Sequence, residues 1–453
     1  MKNKQKRFIW LPLVLFIVTV LVAACSSGAA PSAPAASKPA AEAPKPAEAP
    51  KPAEAAKPAA EAPKAPVAPV KVGLLLSESG NYAALGKDIK DGAMLAVEQF
   101  KAEGGLGAAP LEVVFYNIES DQEKAATLTK RLIEQDKVVA IAGTETAWDH
   151  APVVEVTTKA KIPNFNASGG FFTLKPELQA YSFSVKPATQ TTSALFFYLK
   201  SLGVKKWAYL ATPDPVGNLF GDVGKELGGI MGLQMVGDER QPITDKDMTP
   251  SLVKLKAKNP EALFIMGSGD WALIALNNAA QVGLNIPIVY AGGFTWKSFA
   301  EGLTPEAVKN LNITAVKAAA ARQLKDTDPA KPTIIKFADA FKTKYGKDPE
   351  ESHAVGFDMM SMMLKSVKAA GPDPQKIKDY AETIKGAQGV SGFVFNLSPK
   401  DHIGVDWDGA AVLQMDEKRN PKLATVIPDI IEKLSAEEKA AVKKLTVDKP
   451  SIY

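Results

Sequence analysis

From residue 71 onward the chain alternates short continuous apolar runs with longer amphipathic stretches, and no other feature restricts its fold so strongly. Lys71–Leu76, Leu111–Asn117 and Val138–Ala142 read as strands, with Ala83–Lys101 and Gln122–Gln135 as the helices between them. In the first helix Ile89, Ala93, Ala96, Val97 and Phe100 recur at helical spacing. Strands that are apolar along their whole length have both faces covered, so a parallel sheet flanked by helices is expected. The pattern resumes after Pro187 with strands Trp207–Ala211, Leu233–Gly237, Ala262–Met266 and Ile288–Tyr290. Two long helical stretches, Thr333–Lys344 and His353–Ala370, follow. Residues 71–453 exceed the roughly 250–300 at which one core splits, which predicts two α/β lobes.

The part before residue 71 is of another kind. Lys2, Lys4, Lys6 and Arg7 precede an apolar run from Phe8 to Ala24, which ends in small residues at Cys25. That is the layout of an export signal, here residues 1–24. Residues 25–70 are dominated by Ala and Pro with interspersed Lys and Glu. Proline at short intervals removes backbone donors and clashes with the preceding turn, so an extended, solvated tether is expected. The four charges before Cys25 are all basic. Without them the 54 basic and 50 acidic residues of the whole chain come into balance, which leaves no basic surface for nucleic acid.

Leu21-Val22-Ala23-Ala24-Cys25 resembles the lipobox of bacterial lipoproteins. The resemblance implies acylation of Cys25 and anchoring to a lipid bilayer, with each buried methylene contributing about 0.8 kcal/mol. The alternative is an ordinary secretory signal whose cleavage leaves a cysteine. Cys25 is the sole cysteine, so no intramolecular disulfide exists, and lipidation accounts for an unpaired thiol in an exported chain.

Val72-Gly-Leu-Leu-Leu-Ser-Glu-Ser-Gly80, then Gly86, Gly92-Ala93 and Ala96-Val97, are similar to the opening of the leucine/isoleucine/valine-binding protein family. Glu103-Gly104-Gly105, Gly143, Lys161-Ile162-Pro163 and Phe357-Asp358 continue the similarity in order. The resemblance implies a type I periplasmic-binding fold: two doubly wound lobes joined by three crossover strands, closing over a small-molecule solute. It implies residues 71–186 and 318–388 in the first lobe, 187–317 and 389–420 in the second, and 421–453 as a C-terminal tail. Crossovers are expected near Phe183–Pro187, Val316–Ala319 and Gly386–Gly392. It also implies ABC permease subunits as partners and requires no cofactor.

Open parallel sheets bind ligands at the carboxyl ends of their strands, where helix N-termini present free N–H groups. The candidate ligand contacts lie at such ends. Gly143-Thr-Glu-Thr146 corresponds to the turn with which similar proteins hold a carboxylate, which makes Thr146, Ala147 and Trp148 candidates. Helix capping is the bland alternative for Thr146. Asn166, Ser168 and Gly169 follow the next strand. Tyr82, Trp148, Phe171, Phe172, Phe220, Trp271, Phe294 and Trp296 supply aromatics near these turns, with core packing as their alternative. Gly293 and Phe294 stand where relatives place an acid for the ligand ammonium, and Leu85 and Val216 stand where relatives place cleft tyrosines. These departures predict a carboxylate lacking an α-amino group, or a branched-chain amino acid if Asp270 serves as a displaced ammonium partner.

Catalytic patterns are weak. Gly267-Ser-Gly269-Asp-Trp-Ala272 matches a dinucleotide fingerprint, but the following strand ends Tyr290-Ala-Gly-Gly without the acid that a ribose needs. His150, His353 and His402 are far apart and show no metal-ligand spacing, so no metal is expected. A binding protein is expected, not an enzyme. A sensor that presents its solute to a membrane receptor is the rival reading. Cys25→Ser is expected to abolish incorporation of radiolabelled palmitate, and an unlabelled wild-type chain would rule out the anchor.

Overall fold

The computed structural model describes residues 67–168, 175–186, 188–292 and 296–448. β1 (Val70–Leu76), β2 (Leu111–Asn117), β3 (Ile141–Ala142), β4 (Asn164–Asn166) and β5 (Ser182–Ser184) form one parallel sheet in the order β2-β1-β3-β4-β5. A second sheet repeats that order. Its strands are β6 (Lys206–Ala211), β7 (Gln234–Arg240), β8 (Ala262–Met266), β9 (Ile288–Ala291) and β10 (Leu311–Val316), paired in parallel as β7-β6-β8-β9-β10. β11 (Ala387–Gln388) and β12 (Val394–Phe395) make a small antiparallel pair. β13 (Ala410–Met415) and β14 (Pro421–Val426) then extend the second sheet beyond β10, antiparallel.

The fold class is therefore α/β with two doubly wound lobes. In each, the first strand lies between the second and the third. Successive connections leave it on opposite faces, which opens a crevice at the carboxyl ends of β1 and β3 and again at those of β6 and β8. The apolar runs read from the sequence fill the sheets: Val72, Leu74, Leu75 and Leu76 of β1, and Leu263, Phe264 and Ile265 of β8, are fully buried.

The chain passes between the sheets three times, after β5, after β10 and ahead of β13. The passages are bonded to one another. Ala318 N–H donates to the Ser391 carbonyl at 3.2 Å, Lys317 N–H to the Gly409 carbonyl at 2.9 Å, and Ser184 N–H to the His402 carbonyl at 3.0 Å. Asp358 is buried and accepts from Val390 N–H at 2.8 Å and Ser391 N–H at 3.0 Å. Lys317 Nζ lies 2.9 Å from Asp328 Oδ2, with both side chains almost entirely enclosed. Removing one partner of such a pair costs far more than the pair itself contributes.

The residues after 420, expected as a charged tail with one helix over Ser435–Leu445, hold that helix and add a strand ahead of it. Pro421–Val426 is an edge strand, and Ala436–Asp448 is a helix capped by Ser435, whose Oγ accepts from Glu438 N–H at 3.1 Å. Val442 and Leu445 of that helix are buried, and Lys200 bonds Glu438 at 2.5 Å. The alternating half-buried and exposed positions of Pro421–Val426 are a strand signal that its proline and lysine obscure.

Helix Ala83–Ala102 packs on Glu351–Ala370 closely enough for backbones to touch. A Cβ at Gly356 would stand 2.0 Å from the Ile89 carbonyl oxygen, and one at Gly92 would stand 1.9 Å from that of His353. Gly356→Ala should therefore push the helices apart and lower stability by about 1–3 kcal/mol. Gly229→Ala, on a helix with open space at its Cβ position, should raise stability by up to about 1 kcal/mol. Urea denaturation midpoints of the two variants check the contrast.

Candidate functional site

Four turns leave the carboxyl ends of the strands that flank the two crevices: Ser77–Tyr82 after β1, Gly143–His150 after β3, Thr212–Val216 after β6 and Gly267–Trp271 after β8. Of the expected contacts, Tyr82, Thr146, Ala147, Trp148, Val216, Asp270 and Trp271 lie on these turns, and Leu85 lies in the first turn of helix Ala83–Ala102.

The turn after β3 is built around two carboxyl groups. Glu145 Oε1 accepts from Ser77 N–H at 3.1 Å, bridging the ends of β3 and β1 across the crevice. Asp149 Oδ1 accepts from Thr146 N–H at 3.1 Å while Thr146 Oγ1 accepts from Asp149 N–H at 3.4 Å, a reciprocal cap for helix Ala147–Ala160. Both acids are buried, Glu145 with 2% exposure. Burial, then the like charge of Asp149, push the Glu145 carboxyl up to about 8, and burial raises Asp149 as well. Glu145 Oε2 is buried without a hydrogen-bond partner. The Tyr82 hydroxyl is raised by burial and by the nearby charges of Asp149 and Glu145. His150 is fully buried, which holds its imidazole down to about 3, so it stays neutral; its Nε2 lies 3.3 Å from Ser182 Oγ.

Other expected contacts are placed differently. Asn166 is a strut inside the first sheet: its Nδ2 donates to Ser182 Oγ at 3.1 Å and to the Phe183 carbonyl at 2.8 Å. Its Oδ1 accepts from the N–H of Ser168, which is buried beside it. Trp271 and Phe220, at 2% and 1% exposure, are core residues and correct the expectation of cleft aromatics there. Trp271 turns back over Gly267, so the glycine-rich loop closes on its own helix and not around a phosphate. Trp148, in contrast, is 60% exposed. Asp270 is exposed in the first turn of helix Gly269–Gln281, and Leu85 and Val216 are half-buried against the core. Trp296 N–H donates to Glu350 Oε2 at 3.0 Å, and its Nε1 donates to the Arg419 carbonyl. His353 and His402 are packing residues, with Nε2 3.2 Å from Asp88 and 3.0 Å from Glu382 respectively. Cys25, Gly169, Phe171, Phe172, Gly293 and Phe294 lie outside the described residues.

Sequence reasoning missed Glu145 and Asp149. The spacing Thr146-x-x-Asp149 is a capping-box signature that identifies the second. Nothing local identifies the first.

The family profile described as periplasmic binding protein matches residues 69–419. The chain is 23% identical to a Leu/Ile/Val-binding protein homolog 8 of Brucella melitensis over 377 residues, 80% of this chain and 91% of that one. It is similar in structure to an extracellular ligand-binding receptor from Rhodopseudomonas palustris, with a TM-score of 0.68 and 22% identity over 78% of this chain and 99% of that one. The branched-chain amino acid transporter substrate-binding protein LivJ of Streptococcus pneumoniae, solved with isoleucine, gives a TM-score of 0.64 and 25% identity over 79% and 98%.

A carboxyl raised on folding stays protonated where the unfolded chain has already lost its proton. Folding stability therefore falls as pH rises from the ordinary glutamate range to about 8. Glu145→Gln keeps the acceptor for Ser77 N–H and removes the ionisation. The variant should lose this slope and melt at least about 2 °C above wild type near pH 9, read by thermal denaturation across pH.

Proposed function

The chain belongs to the periplasmic binding protein family, whose members bind solutes outside the cytoplasm and are not enzymes, and from that premise we propose that it delivers a small organic solute to an ABC importer. The observation that carries the reading is the repetition of one strand order in two lobes on three short passages, with polar residues on the switch-point turns of both lobes and Tyr82 and Trp148 on those of the first. Two such crevices on a hinge enclose a solute when the lobes close. Residues 71–186 and 318–388 would move as one body and 187–317 and 389–420 as the other. Tyr82, Leu85, Thr146, Ala147, Trp148 and Ser168 would meet the solute from the first lobe, with Val216, Asp270 and Gly293-Phe294 opposite. An acylated Cys25, with residues 25–70 as its tether, would hold the body near the membrane.

Solute stabilises closure only by its differential affinity for the closed state. Small-angle scattering should show a smaller radius of gyration with solute at saturation, and an unchanged profile would remove hinge closure. Affinity capture of the full chain from detergent-solubilised membranes should recover permease subunits. Recovery of a histidine kinase or chemoreceptor instead would establish the sensing alternative.

A further inference from the structure

We propose that a cavity between helix Glu351–Ala370 and the β11–β12 hairpin is a second binding site, apart from the switch-point crevices, and that it takes a small amphipathic carboxylate. The cavity holds about 350 Å³, within the range of roughly 300–1,000 Å³ typical of small-molecule sites. A stripe of the helix lines it at helical spacing, Asp358, Ser361, Met362 and Lys365, together with Ala387–Gly389 of the third passage between the sheets. The hairpin closes tightly on the helix at Gly389, where a Cβ would stand 2.6 Å from Asp358 Oδ2 and 2.7 Å from the Phe395 ring. A smaller cavity of about 190 Å³ shares Asp358, Ser361, Lys365 and Gln388 and reaches helix Lys331–Tyr345 at Lys336. An occupant therefore lies against the passage that joins the lobes.

The lining carries positive charge that the protein leaves unanswered. Lys365 belongs to both cavities, Lys385 to the larger and Lys336 to the smaller, and among the described residues none of the three is in an ion pair. Lys385 Nζ donates to the Leu397 carbonyl at 2.6 Å, a neutral acceptor. Lys365 attracts Asp358 without pairing with it. That acid is fully buried and gives its oxygens to the N–H groups of Val390 and Ser391, at 2.8 and 3.0 Å. Glu103, which lines the smaller cavity, is exposed. An arriving ammonium meets like charge, whereas a carboxylate is attracted. The larger cavity also has an apolar side, with buried Met362 and Phe395 and half-buried Ile384. A bare inorganic anion leaves that side wet, and a neutral organic molecule leaves the lysines unanswered. An anion with a hydrocarbon body satisfies both.

Two of the 11 methionines distinguish this site from the crevices: Met362 lines the cavity, and Met266 ends β8 at the switch point of the second lobe. Their methyl resonances in methionine-labelled full chain are assigned with Met362→Leu and Met266→Leu. Phenylpropionate and hexanoate, with phenylpropanol and inorganic phosphate as controls, are titrated to about 20 mM, because an acid of roughly eleven heavy atoms in an open cavity binds in the millimolar range. The carboxylates should move the Met362 resonance saturably and the controls should not. Lys365→Gln removes the charge at an exposed position, and Ser361→Leu fills the junction of the two cavities from a half-buried one. Each should weaken that binding at least about fivefold, with urea midpoints verifying folding. A Met362 resonance unmoved by the carboxylates overturns the inference; if Met266 responds in its place, the solute-binding reading stands while this one fails. Movement that phenylpropanol or phosphate reproduces, or that both substitutions leave at full strength, overturns it as well.

Discussion

A parallel strand that ends at a switch point leaves its last amides facing a crevice and not a neighbour, and whatever satisfies those amides decides what the crevice accepts. In the first lobe the Ser77 amide is satisfied within the protein, by Glu145 Oε1. The bond ties β1 to β3 where the sheet would otherwise splay, and it takes a carboxylate out of water to do so. The desolvation is only partly offset, since the neighbouring Asp149 repels it. Burial raises both carboxyls above their ordinary range, and the charge of Asp149 raises Glu145 further. The local architecture and the protonation state are two aspects of that one contact.

Backbone contact at Gly92 and Gly356 locks the returning helix onto the first lobe, and Asp358 on that helix holds the N–H groups of Val390 and Ser391 as the chain leaves again. The three passages are bonded side by side, so the closure proposed for the lobes would fall on few residues. Glu350 and Trp296 make one further link between the returning helix and the loop after β9.

The two lobes were legible because continuous apolar strands and amphipathic helices each carry their signal in a window of a few residues. Thr146 was legible as a cap for the same reason. Glu145 was not. An acid in a turn reads as solvated unless a strand 68 residues earlier is known to run beside it, and burial of that kind is a property of the assembled sheet. Trp271 misled in the opposite sense: a tryptophan opening a helix after a strand suggests a cleft wall, yet Gly267 leaves the space into which its ring folds back. Pro421–Val426 escaped notice because its proline and lysine break the continuous apolar run that marks the buried strands.

Exposed Trp148 has an optical consequence. Trp207, Trp271 and Trp407 are enclosed in hydrophobic surroundings at 2% exposure or less, and the Trp296 indole is held by the Arg419 carbonyl. Trp148 stands apart, open to solvent beside the ionisable pair. Among the tryptophans of the described residues, its emission therefore reports polarity at the turn after β3 against a steadier background from the other four. Were the proposed solute to arrive beside Trp148, the change in its surroundings would shift that emission, and no label would be needed to follow it.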